Sequence, residues 1–196
     1  MADDSVLAVH SLGRRELPLR HPKLTQYRVD FKALPALPRV GEAFVALGTT
    51  IKVAGSQQAF RAVDFDAVVA VARAAHAAGA RRFGVVSAMG ANARSSIFYN
   101  RVKGEMEEAL SAFGFDALVI ARPSFLAGDR QALGQPVRSG EKLALRVSRL
   151  LAPLIPSNYA SIDPKAVALA LLKRLPQARD RQVLLSGEMQ KASAEA

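Results

Sequence analysis

Residues 81–123, RRFGVVSAMGANARSSIFYNRVKGEMEEALSAFGFDALVIARP, decide the fold. A short apolar run ending in FGVVS is followed by a segment with helical character over 95–113, closed by Gly114. A second apolar run, FDALVIARP, then stops at Pro123. Two strands joined through a helix become parallel neighbours rather than a hairpin, and strands that are apolar nearly throughout need cover on both faces. The unit is therefore strand, helix, strand of a doubly wound α/β sheet.

The same alternation extends outward. Upstream, SVLAVHSL and LTQYRVDF read as strands flanking the turn-rich RRELPLRHPK, and EAFVALG reads as a third strand ending in Gly48-Thr49-Thr50. VDFDAVVAVARAAHAAGA has helical spacing, with Asp64 as N-cap and Gly79 as stop, and its alanines suit close packing on a sheet. Downstream, KLALRVSRLLAPLI and DPKAVALALLKRL read as amphipathic helices and RQVLLSG as a late strand. The expected organisation is one domain over 1–187, a small helical lobe over about 125–187, and a frayed tail over 188–196.

Composition narrows the function. Lys and Arg exceed Asp and Glu by 27 to 17, which favours anionic partners. The basic residues are dispersed, aromatic content is 6% and Trp is absent, so nucleic-acid binding is not expected. There is no cysteine, which removes disulfides and thiolate chemistry, and His10, His21 and His76 lack metal-ligand spacing, so no metal site is expected. No apolar run reaches a membrane span, and the acidic MADDSV is unlike a signal peptide. A cytoplasmic protein without membrane contact is the expectation.

Tyr99 and Lys103 stand four apart on the helix after FGVVS and so share a face. Such a pair is often just two neighbours on a solvated helix. Its position argues for more, because Ser87 lies twelve residues earlier at a strand end, where an open α/β sheet places its ligand. An ammonium beside a phenol lowers its pKa from about 10, and a nearby hydroxyl can polarise a carbonyl oxygen. Those groups suit proton transfer coupled to hydride transfer, provided they reach one atom.

Taken together, SLGRRELP, RVDF, ALGTT, the Ser87-Tyr99-Lys103 set and ARPSFLAGDR resemble the atypical short-chain dehydrogenase/reductases, in particular the Tat-interacting-protein-like branch. The resemblance covers most of the chain and implies a Rossmann-like fold, NADP rather than NAD as cofactor, and a small carbonyl or alcohol substrate. It implies Ser87, Tyr99 and Lys103 as catalytic residues, with Lys103 also holding the nicotinamide ribose. Arg14 and Arg15 would hold the adenosine 2′-phosphate, for which planar guanidinium donors are suited. Asp30 and Phe31 would border the adenine, Leu47, Gly48 and Thr49 would line the dinucleotide, and Pro123 and Ser124 would lie near the nicotinamide. Arg122 and Arg130 are weaker candidates for the substrate or for the charged part of the cofactor. A homo-oligomer or a protein partner is left open, as is a catalytically silent dinucleotide-binding module.

One family element has no counterpart. The G-x-x-G-x-x-G turn after the first strand, which brings a pyrophosphate to a helix N-terminus, occurs nowhere in this sequence. SVLAVHSLGRR matches the second strand of the family, so the usual first strand, its loop and its helix are missing. In the order 3-2-1-4-5-6 that strand is central. The expectation is a hole in the sheet and weak NADPH binding, with two explanations: a natural start further upstream, or a chain that holds dinucleotide poorly.

Overall fold

The computed structural model describes residues 4–126 and 156–194. Strand β1 (Val9–Gly13) pairs in parallel with β2 (Leu24–Arg28), Val9 opposite Leu24 and Gly13 opposite Arg28. Strands β3 (Glu42–Val45), β4 (Arg82–Val86), β5 (Ala117–Arg122) and β6 (Asp180–Leu185) form a second sheet in that order, parallel at every step. The architecture is the Rossmann-like α/β arrangement, divided in two. By the family order, β1 and β3 hold the places of strands 2 and 4, and the place between them belongs to strand 1. No ladder joins β1 to β3. Phe31 and Leu34, on the chain leaving β2, pack against the core of the larger sheet and tie the two parts together by side chains.

That core has two faces because β5 is apolar at every inward position. Leu118 and Ile120 face a cluster with Val45, Val68, Val71, Phe83, Val85, Met106 and Leu110, whereas Ala117, Val119 and Ala121 face Ile162, Val167, Leu171, Leu184 and Met189. Alternate side chains thus go to opposite sides, and both sides are covered.

Helical cover on the first face begins with α1 (Ile51–Ala54) and α2 (Gln57–Arg61), continues through a π-helical segment over Ala62–Ala67, and ends in α3 (Val68–Ala77). Asp64 is not the N-cap that its position suggested. Ser56 takes that role, accepting the Ala59 N–H at 3.1 Å, and the helix runs on from Gln57. Asp64 instead lies inside the π-helical segment and is buried. Gly79 follows α3 with φ +93°, and Gly114, at φ +72°, follows α4 (Phe98–Ser111). Both are the left-handed stops expected of glycine.

The second face is covered by α5 (Pro164–Arg174), capped by Asp163 with Pro164 in its first turn, and by α6 (Ser186–Ala194). The tail expected to fray from residue 188 is helical through Ala194 instead. Met189, fully buried against Ile162, Leu184 and their neighbours, anchors it. β6 joins the main sheet beside β5, so residues 156–194 complete that sheet. The helix expected over 142–155 lies outside the described residues. Among the described residues, no helix is long and apolar enough to cross a membrane.

Candidate active site

Helix α4 turns an unusual face inward. Tyr99, Lys103 and Glu107 recur at four-residue spacing, and the two charged side chains are almost wholly buried, Lys103 at 3% exposure and Glu107 at 1%. Buried charges require partners, and each has a different one.

Lys103 pairs with Asp64, 1% exposed, at 2.8 Å from Nζ to Oδ1. Among the described residues no hydrogen bond reaches Oδ1, so the contact is an ion pair. The other oxygen, Oδ2, accepts the Thr49 N–H at 2.9 Å. A Cβ on Gly48 would stand 3.5 Å from Asp64 Oδ1 and 4.0 Å from Lys103 Nζ, which places the loop leaving β3 directly against this pair. The Tyr99 ring sits 5.4 Å from that of the fully buried Phe60. Burial, and then the Asp64 charge, raise the Tyr99 pKa above the usual value for a phenol. The lowering expected from Lys103 is not the outcome, because the ammonium is already matched by a carboxylate.

Glu107 gathers the rest. Ser87 donates its hydroxyl to Glu107 Oε1 at 2.6 Å, Arg122 reaches both carboxylate oxygens at 2.9 and 2.6 Å, and Arg181 adds a contact at 3.1 Å. The Arg122 pKa is raised by its hydrogen bond to Glu107. Ser87 and Lys103 are thus held by different carboxylates, so the three groups do not share a single partner. With its proton given to Glu107, Ser87 has none to offer a carbonyl oxygen in this arrangement.

The remaining expected residues fall mostly just past strand ends. Arg14 and Arg15 are exposed immediately after β1. Asp30 is exposed and accepts the Lys32 N–H at 3.0 Å, while Phe31 packs into the core. Leu47 also packs on the core, and of the Leu47–Thr49 loop Gly48 is exposed while Leu47 and Thr49 are half-buried. Pro123 is buried, its carbonyl accepting the Met89 N–H at 3.0 Å, and Ser124 bonds to Ser186 and to the Ala160 carbonyl. Arg130 lies outside the described residues.

The structure therefore draws Gly48, Thr49 and Lys103 together around Asp64, with Tyr99 one turn before Lys103 against Phe60, and Ser87 with Arg122 around Glu107. Neither carboxylate was among the residues expected at the site. Glu107 could have been found by extending the four-residue spacing one step past Lys103. Asp64 left a fainter signal, an acid set between apolar residues in AVDFDAVV.

No family model matches the chain. Curated proteins do match. Protein HTATIP2 of Rattus norvegicus is 36% identical over 171 residues, covering 84% of this chain and 68% of that protein. Protein FMP52-1, mitochondrial, of Scheffersomyces stipitis is 44% identical over 88 residues, covering 45% of this chain and 39% of its own length. Protein FMP52, mitochondrial, of Candida albicans is 31% identical over 146 residues, with 73% and 64% covered. The chain thus spans between 39% and 68% of the lengths of these relatives.

Among solved structures, MoeE5 in complex with UDP-glucose and NAD superposes with a TM-score of 0.65 at 16% identity, covering 98% of this chain and 74% of that one. RMD from Pseudomonas aeruginosa complexed with NADPH gives 0.55 at 16% identity, covering 89% and 75%. At such identities these neighbours establish the fold.

The relatives also correct one expectation. Several FMP52 proteins carry the word mitochondrial in their names, which overturns the cytoplasmic location inferred from MADDSV. The first residues of this sequence are no guide to a leader. The extent and identity of the HTATIP2 match, joined to a doubly wound sheet and a Y-x-x-x-K helix, establish that the chain belongs to the HTATIP2/FMP52 branch of the atypical short-chain dehydrogenase/reductases.

Proposed function

We propose that this site serves an NADP(H)-dependent oxidoreductase that interconverts a carbonyl and an alcohol on a small molecule. One observation carries the proposal: Tyr99 and Lys103 lie on the inward face of α4, with Lys103 and the loop that leaves β3 held to the same buried Asp64. When bound, a reduced nicotinamide dinucleotide supplies the hydride. Tyr99 gives its proton to the carbonyl oxygen. The raised pKa keeps the phenol in its proton-bearing form and makes it a weaker donor than a free phenol, so the approach of substrate and dinucleotide has to offset that burial for transfer to be fast. Lys103 holds the nicotinamide ribose, and Pro123 and Ser124 border the nicotinamide.

The chain's residues fit a dinucleotide at its two ends. Gly48 is exposed, has no positive φ, and could carry a Cβ with only ordinary contacts inside the protein, so the fold itself does not require glycine there. The approach of a ligand would. Arg14 and Arg15 are exposed past β1, as a 2′-phosphate requires, with Asp30 and Phe31 following β2 on the adenine side. Between these ends, where a pyrophosphate needs backbone amides at a glycine turn, the sequence supplies none.

A second reading is favoured by a separate observation. The Ser87 proton is committed to Glu107 and the Lys103 charge to Asp64, an arrangement that suits a module which binds dinucleotide without turning it over. The two readings part in one assay, NADPH oxidation over a panel of small carbonyls with the dinucleotide in excess. Turnover that falls by on the order of a hundredfold or more in Tyr99→Phe supports the oxidoreductase. Undiminished turnover removes Tyr99 from the chemistry, and bound NADPH without any turnover supports the silent module.

A further inference from the structure

We propose that Asp64 is the positioning residue of this site: one buried carboxylate fixes the Lys103 ammonium and the Thr49 amide together, and so sets where the lysine stands relative to the loop leaving β3. The inference rests on the reading of Tyr99 and Lys103 given above. Three observations carry it. First, both carboxylate oxygens are committed to groups at the site, Oδ1 to Lys103 at 2.8 Å and Oδ2 to the Thr49 N–H at 2.9 Å. Second, Asp64 lies in a π-helical segment, Ala62–Ala67, set between α2 and α3. Such segments are irregular and are found disproportionately at functional sites, and a regular α-helix over the same residues would aim this side chain in another direction. Third, the fold has little need of the pair. Helix α2, which runs into the segment, already meets α4 through apolar groups such as Phe60 against Phe98, and a buried ion pair is often replaceable by apolar residues of similar volume without loss of stability.

The other charged groups on the packed elements have other partners or are exposed to solvent, as are Lys52, Arg73, His76 and Glu108. Arg61 on α2 is bonded to Glu105 on α4 and lies over the Phe65 ring, and Arg101 donates to the Ser95 and Ser96 carbonyls. Glu107 is held by Arg122 and Arg181, and Asp66, in the π-helical segment, is exposed. Asp64, paired with Lys103, is thus the charge on these elements that acts on Tyr99.

The test uses the whole chain and two readouts. One is titration of tyrosinate absorbance without cofactor, with Tyr99→Phe identifying the Tyr99 component among the three tyrosines. Asp64→Asn should move that component down, and Lys103→Met should move it up. The other is NADPH affinity beside thermal stability. Asp64→Asn should weaken NADPH roughly tenfold, and the double variant Asp64→Asn/Lys103→Met should regain melting temperature without regaining affinity. If Asp64→Asn does not fold, Asp64→Glu keeps the charge at a longer reach and should leave the Tyr99 component high while affinity falls.

The proposal is overturned if removing the Asp64 charge leaves the Tyr99 component in place, or if affinity returns together with stability in the double variant. It is also overturned if Asp64→Glu binds NADPH as the natural chain does. A natural chain that binds no NADPH would sink the cofactor reading alone, and the tyrosine titration would still decide the role of Asp64.

Discussion

Gly48 and Ser87 illustrate how much a single position can and cannot say. Gly48 was marked in the sequence by its place after an apolar run, and its freedom from internal crowding supports the idea that a ligand, rather than the fold, uses the space. Gly48→Ala should therefore leave the melting temperature within a degree or two while weakening NADPH binding, a comparison that thermal denaturation and calorimetry make directly. An equal loss of stability would mean that the glycine serves the backbone. Ser87 was equally legible in position but not in direction. Its twelve-residue spacing from Tyr99 placed it at a strand end, yet the carboxylate of Glu107, one turn beyond Lys103, accepts its hydrogen bond. Spacing predicts which elements meet, whereas the partner a hydroxyl selects depends on side chains brought in from other elements, here Arg122 and Arg181.

Helix α4 holds these residues in place, and it depends on Gly104. A Cβ there would fall 2.0 Å from the Ala93 nitrogen and 2.2 Å from the Asn92 carbonyl carbon, because the loop before α4 lies directly against the helix backbone. Those atoms are main chain and cannot turn aside. Gly104→Ala should cost about 1–3 kcal/mol by overpacking and displace the helix end that carries Tyr99, lowering both melting temperature and turnover. Unchanged stability would mean that the loop is free to move.

The same scale shows why most elements were readable. Apolar runs bounded by Gly79, Gly114 and Pro123 marked β4, β5 and the helices beside them, since the period of the pattern and the stops are both local. The start of the helix before β4 was misplaced because Ser56 and Asp64 are both competent caps, and only packing chooses between them. The C-terminal helix was missed for a similar reason. Its polar composition resembles a tail, and its stability comes from Met189 buried between α5 and β6.

At the scale of the molecule, the parallel sheet and the place of its interruption follow from matching SVLAVHSLGRR to the second strand of the family, and the structure breaks between β1 and β3. What local pattern could not convey is how the parts are held. The small sheet is tied through Phe31, which had been expected to border the adenine, and through Leu34. The consequence for function is electrostatic. On the proposed reading Lys103, Tyr99 and the exposed arginines meet the two ends of a dinucleotide, while the sequence holds no G-x-x-G-x-x-G turn to receive its pyrophosphate.

Isothermal titration of NADPH into this 196-residue chain tests that account most directly. The account predicts weak binding, with a dissociation constant well above the micromolar range. A constant of about 1 μM or tighter, equivalent to about −8.2 kcal/mol or more, would contradict it, because binding of that strength requires the phosphate contacts that the split sheet does not provide.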